Sequence, residues 1–200
     1  MIVARIPQLF VNPAKAWAEI HRSRYGLPSV LFAHTLPFAL IPVLAGWYGT
    51  SQVGWRIGSA DLVTLSQESA TSIALFYYLA ILVGVGAVGM VIHWMSTTYG
   101  ASPRLPDCIA LASLSATPLF LVGALQAYPV LWLNLVAGLP ALAYTLFLFF
   151  TGVPVIMEIS PERAFLFSCA VLAFGLVCLV AMLAVTALLW GAGFAPAMTS

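Results

Sequence analysis

Residues 108–157 form a run of fifty positions without a single Asp, Glu, Lys or Arg. As one helix they would reach about 75 Å at ~1.5 Å per residue, whereas the hydrocarbon core of a bilayer is about 30 Å thick. The run is too apolar for water and too long for one crossing, so it must turn. Gln126-Ala127-Tyr128-Pro129 suits a turn. Glutamine is polar, tyrosine favours the headgroup level, and proline is tolerated at the start of a following helix. Two membrane-crossing helices are expected, 109–127 and 130–150, joined as a tight hairpin.

The rest of the chain has the same character. Only 6% of its 200 residues are charged and 62% are hydrophobic, against about 25% charged in soluble domains. An all-α integral membrane protein follows, with lipid as its main surroundings. A formal net charge of +1 offers no basic patch to neutralise phosphates, so nucleic acid is not an expected partner. The three cysteines, Cys108, Cys169 and Cys178, have no metal-ligand spacing and read as small apolar fillers. The N-terminal MIVARIPQLF is a poor signal peptide, because Arg5 and Pro7 interrupt its short apolar part.

Four of the seven Lys/Arg residues fall in residues 1–28. Asn12-Pro13 reads as an N-cap followed by proline at the first helical position. The turns that follow place Trp17 and Ile20 on one face and Lys15, Glu19 and Arg22 on the other. A short amphipathic helix lying at the membrane interface is expected. The first crossing is expected over 30–48, kinked by Pro37 and Pro42, with Trp47 and Tyr48 at its far interface. The second is expected over 72–95, and the last, after the hairpin, over 164–190. Loops fall at 49–69, 96–107 and 151–163. The chain thus divides into an N-terminal segment (1–28), a five-helix transmembrane domain (29–190) and a tail (191–200). With the N-terminus cytoplasmic, that side carries Arg5, Lys15, Arg22, Arg24, Arg104 and Arg163, and the other only Arg56. The excess of positive charge places the N-terminus in the cytoplasm and the tail in the periplasm.

Few residues suggest chemistry. The GVGAVG stretch from Gly84 spells a dinucleotide fingerprint, but it lies inside a predicted span without the required strand and crevice. Ala80 and Gly84, one turn apart, instead read as a face for close helix packing. Pro118 interrupts the third span, and the carbonyl it frees reads as that of Ser113, with the hydroxyls of Ser113 and Thr117 able to serve local backbone groups. Pro140 interrupts the fourth span. If the broken helices open, Ser113, Thr117, Gln126 and Tyr144 would line a small polar cavity. His34, about one turn into the first span, would join His93, Asp107 and Glu158 in a polar rim at the cytoplasmic face. On that reading, alanine at His34 or His93 hardly affects folding. No carboxylate is expected at mid-membrane, which argues against a proton-coupled pump. The chain has no Gly-x-Ser-x-Gly elbow and no metal-ligand spacing. Neither an enzyme nor a cofactor is expected.

The hairpin residues Ala116-Thr117-Pro118-Leu119-Phe120-Leu121, then Gly123, Tyr128-Pro129 and Trp132, resemble the bacterial inner-membrane branch of the Yip family. Gly49-Thr50 with Gln52, Gly54 and Trp55, Trp94-Met95, and Gly152 with Pro154 fit the same pattern. The resemblance covers most of the chain. It implies a five-helix bundle with a cytoplasmic N-terminus, and it supplies no catalytic or ligand residues to carry over. The expected function is a non-catalytic membrane scaffold or accessory subunit, held in the lipid bilayer with a membrane-protein partner or a second copy of itself. The alternative is a small channel or transporter using the proline-opened helices.

Overall fold

The computed structural model describes residues 2–55, 63–191 and 198–199. Arg56 and Asp61 of the first loop, and most of the 191–200 tail, lie outside the described residues. Two short helices, α1 (Ile6–Val11) and α2 (Pro13–Ser23), open the chain. Then come α3 (Leu27–Val53), α4 (Gln67–Tyr99), α5 (Leu105–Ser115), α6 (Thr117–Ala127) and α7 (Leu131–Met157), and α8 (Pro161–Gly191). Four of these are individually long and apolar enough to cross a membrane; α5 and α6, bent by 40° at their junction, form a fifth crossing. The chain is an all-α integral membrane bundle.

Local chemistry sets the boundaries. Asn12 caps α2 by accepting from the Lys15 backbone N–H at 3.1 Å, and Ser66 caps α4 by accepting from that of Ser69 at 3.3 Å. Prolines stand in the first turns of α1, α2 and α5, where the missing N–H costs nothing. The hairpin turns at Tyr128–Val130, and Asn134 Nδ2 closes it by donating to the Tyr128 and Val130 carbonyls at 2.9 and 3.0 Å. The helix α7 runs past the expected 150 to Met157, with Pro140 and Pro154 inside it. The loop expected over 151–163 is shorter than its proline suggested, because 151–157 is otherwise apolar and a membrane helix tolerates proline. Strand β1 (Thr64–Leu65) pairs antiparallel with β2 (Met198–Thr199). The described part of the tail therefore lies at the same end as the α3–α4 loop, and the N-terminal segment lies at the other, arginine-rich end.

The helix α5 is the centre of the bundle: every residue of 108–115 is buried. Its neighbours approach it at glycines. A Cβ on Gly89 of α4 would sit 2.6 Å from Ile109 Cγ1, and one on Gly152 of α7 would sit 2.6 Å from Leu111. On α6, a Cβ on Gly123 would lie 2.6 Å from Pro42 Cβ. The expected packing face at Ala80 and Gly84 is not used within the chain. Both are exposed, and nothing lies within 4 Å of a Cβ on Gly84. At about 100° per residue, Gly89 lies some 140° around the helix from Gly84, so the contact falls on a different face. The outward surface is apolar, with Phe76 70% and Leu131 83% exposed, as lipid requires.

The N-terminal amphipathic helix forms, but its apolar face is covered by protein. Trp17 and Ile20 are buried, and Trp17 lies against Gly152, where a Cβ would meet its ring at 2.8 Å. Three contacts fix the path of the segment along α7. Tyr144 donates to the Leu9 and Phe10 carbonyls at 2.9 and 3.3 Å, Trp17 meets Gly152, and His21 Nε2 meets Glu158 at 2.8 Å. From 144 to 158 is about 20 Å of helix, so α2 stands alongside α7 instead of lying flat at its end. An Arg5–Glu19 ion pair ties α1 back against α2. Tyr144 also stacks on Phe10 with centroids 5.4 Å apart. Tyr144→Phe keeps that stacking and removes the acceptor-bound hydroxyl. It is expected to open the 9–12 corner about tenfold more often, a loss of about 1–1.5 kcal/mol. Amide hydrogen exchange of the detergent-solubilised protein reads this directly; unchanged exchange would leave apolar packing as the only tether.

Candidate functional site: an intramembrane histidine clasp

The two broken crossings meet at their breaks. In α3 the backbone widens into a π turn over Leu31–Thr35, just before Pro37. Turns of this kind accommodate a missing N–H and often mark functional positions. The π turn carries His34 and Thr35, both fully buried, with relative exposures of 0% and 1%. Opposite stands the α5–α6 break. Pro118 has no N–H to give to the carbonyl four residues earlier, which is that of Leu114 and not of Ser113. The Thr117 hydroxyl supplies the replacement, donating to Leu114 O at 2.6 Å.

Five polar atoms then close into one network. His34 Nδ1 lies 2.8 Å from Ser113 Oγ, and Nε2 lies 3.0 Å from Thr117 Oγ1. Thr35 Oγ1 is 2.8 Å from Ser113 Oγ and 3.2 Å from the Val30 carbonyl. The proton count fixes the directions. The single proton of Thr117 goes to Leu114, so Thr117 accepts from His34 Nε2–H. A neutral imidazole then accepts at Nδ1 from Ser113, and the one Thr35 proton is shared between Ser113 Oγ and the Val30 carbonyl. Each hydroxyl and both ring nitrogens are satisfied, as burial without water demands. The ring is held between Phe38, with centroids 4.6 Å apart, and Phe120, at 6.4 Å. The network crosses from α3 to α5 and α6, and its Thr117 end stops on a backbone carbonyl. It is a clasp between two broken helices.

Of the four residues expected at a polar rim, the structure brings together only Asp107 and Glu158. His34 lies two turns inside α3, about 10 Å from Leu27, because the helix begins at Leu27 and not at 30. His93 is exposed on α4. Asp107 is taken by Arg104, which donates to it through Nε at 2.8 Å and Nη2 at 2.7 Å. These bonds, with the carboxylate charge, raise the Arg104 pKa above its ordinary value. Glu158 is paired with His21. Asp107 and Glu158 share the lining of one cavity at the arginine-rich end, and neither His34 nor His93 belongs to it.

The expected cavity residues divide likewise. Ser113 and Thr117 converge on His34, but Gln126 donates to the Tyr77 hydroxyl at 3.1 Å at the far end, and Tyr144 serves the N-terminal corner. Pro42 packs on Gly123, and Pro140 stays within a continuous α7. Sequence reasoning missed Thr35 and the partnership of His34 with Ser113. The spacing of Ser113 and Thr117 put two hydroxyls on one face, but nothing in it named the side chain opposite. No group of three His, Cys, Asp or Glu residues able to hold a metal occurs among the described residues.

Comparison with known proteins gives one consistent answer. The Yip1 domain matches residues 8–182. Two proteins named inner membrane protein YohC, from Escherichia coli K12 and Escherichia coli O6:H1 (strain CFT073), are similar to this chain. Each is 37% identical over 186 residues, covering 93% of this chain and 95% of the relative. No solved structure matches. The matched stretch begins in α1 and ends in α8, so it takes in α2, the clasp and every crossing. The chain therefore belongs to the Yip1 domain family, as a multi-pass inner-membrane protein similar to YohC.

Proposed function

We propose that this chain is a non-catalytic scaffold or accessory subunit of the inner membrane that works by binding other membrane proteins or a second copy of itself. The observation that carries this reading is the clasp. At the two helix breaks, the polar groups that could have opened a path, His34, Thr35, Ser113 and Thr117, are spent on one another and on backbone carbonyls. Ser113 and Thr117 are 0% exposed, and His34 fills the space between them. A transport path needs polar groups left over for its cargo. The broken helices α3 and α6 favour the channel or transporter alternative, but their breaks are filled by side chains. Orientation belongs to the same proposal: the arginine-rich end, with residues 1–28, faces the cytoplasm, and the 191–200 tail faces the periplasm.

The relatives' names give a location and no reaction. The surface available for recognition is the apolar flank of α4, where Ala80 and Gly84 would let another helix approach closely. Purification of the full chain in mild detergent, with mass spectrometry of what accompanies it, tests the proposal. A stoichiometric membrane-protein partner or a defined homo-oligomer is expected. A lone monomer, or substrate flux in proteoliposomes, would overturn it.

A further inference from the structure

At the arginine-rich end, a cavity of about 330 Å³ opens between the end of α2, the loop before α5 and the end of α7. Its lining includes the side chains of His21, Arg24, Arg104, Asp107 and Glu158. The two carboxylates are already engaged: Asp107 by both nitrogens of the Arg104 fork, and Glu158 through Oε1 by His21. Arg24 has no acidic partner among the described residues. It is held at the C-cap of α2 in the left-handed conformation, φ 45°, with its backbone N–H on the His21 carbonyl. A third guanidinium approaches from α8, since Arg163 Nη1 would lie 3.5 Å from a Cβ on Gly100, which also lines the cavity. Two arginines and two carboxylates line the cavity, but both carboxylates are engaged by other groups, so Arg24 keeps a guanidinium there that is unpaired among the described residues, with Arg163 approaching beside Gly100.

We infer that this cavity binds the phosphate of an anionic phospholipid headgroup, with Arg24 as its principal contact and Arg104 and Arg163 beside it. Guanidinium groups suit phosphate oxygens because they offer forked, permanently charged donors. The cavity lies at the ends of α2, α5 and α7, the level at which headgroups sit. Beside Arg163, the first turns of α8 present Phe165 and Leu166, 59% and 60% exposed, as an apolar flank for acyl chains. The volume admits a phosphate and part of a glycerol, not a whole lipid. This inference goes beyond the scaffold reading and stands whether or not that reading does.

Native mass spectrometry of the detergent-purified full chain tests it, with phosphatidylglycerol, phosphatidylcholine and inorganic phosphate as separate probes. Wild type is expected to retain phosphatidylglycerol in preference to phosphatidylcholine. Arg24→Gln is expected to weaken that retention about tenfold, as loss of one charge-assisted contact would. Arg22→Gln, a neighbouring exposed arginine outside the cavity lining, is expected to leave it unchanged. If Arg24→Gln fails to fold, Arg24→Lys keeps the charge without the fork and is expected to fall in between. Equal retention of the two lipids, or equal losses from the two glutamine variants, would overturn the site. Arg24-dependent binding of inorganic phosphate without lipid preference would overturn the lipid assignment.

Discussion

His34→Ala is expected to destabilise the folded bundle by about 2–4 kcal/mol, while His93→Ala stays within about 0.5 kcal/mol of wild type. Two costs add at His34. The ring is fully buried against Phe38, and its removal leaves a void that a fixed pair of broken helices cannot collapse around. It also strips Ser113 and Thr117 of one partner each, although Ser113 keeps Thr35 and Thr117 keeps Leu114. The second cost is therefore partial, and the void carries most of the loss. His34→Gln, whose amide offers one donor and one acceptor, is expected to recover part of it. Unfolding in mixed detergent micelles, followed by circular dichroism, measures all three variants. Equal midpoints for His34→Ala and wild type would show that the clasp holds nothing together.

That outcome reverses the sequence-based expectation that alanine at His34 is harmless, and the reason is one of depth. Leu27-Pro28 already forms the first turn, with proline at a position that suits it. Starting the helix at 30 moved His34 one turn toward the surface and into an apparent rim. The five crossings were legible because long uncharged runs have few alternatives in a bilayer, and the hairpin turn was legible from Gln126 to Pro129. The docking of α2 was not. An amphipathic stripe looks the same whether lipid or protein covers it, and the deciding residue, Gly152, lies more than a hundred positions away. The Arg104–Asp107 pair, three residues apart, could have been read directly, and it would have shown the Asp107 carboxylate already engaged. The same distance problem hid the clasp: His34 and Ser113 are 79 residues apart.

Gly89→Ala is expected to destabilise the bundle by about 3 kcal/mol, the upper end of ordinary overpacking, and Gly84→Ala to be neutral or slightly stabilising. A single methyl separates the cases. On Gly84 it meets nothing within 4 Å, and alanine is the better helix former. On Gly89 it lies 2.6 Å from Ile109 Cγ1, 2.9 Å from its Cα and 3.2 Å from its N. A side chain can swing away, but backbone cannot, so α4 and α5 must separate along their length. Ile109→Ala added to Gly89→Ala is therefore expected to restore little stability. The same detergent unfolding assay reads the set, and equal midpoints for the two alanine variants would show that the α4–α5 contact is loose. The pair Gly89→Ala and His34→Ala then asks whether α5 acts as one body. One variant loosens α5 from α4, the other from α3, and independent interfaces give additive losses within about 0.5 kcal/mol. A combined loss smaller than the sum would mean that displacing α5 on one side already releases the other, so that the clasp and the glycine contact stabilise a single central element.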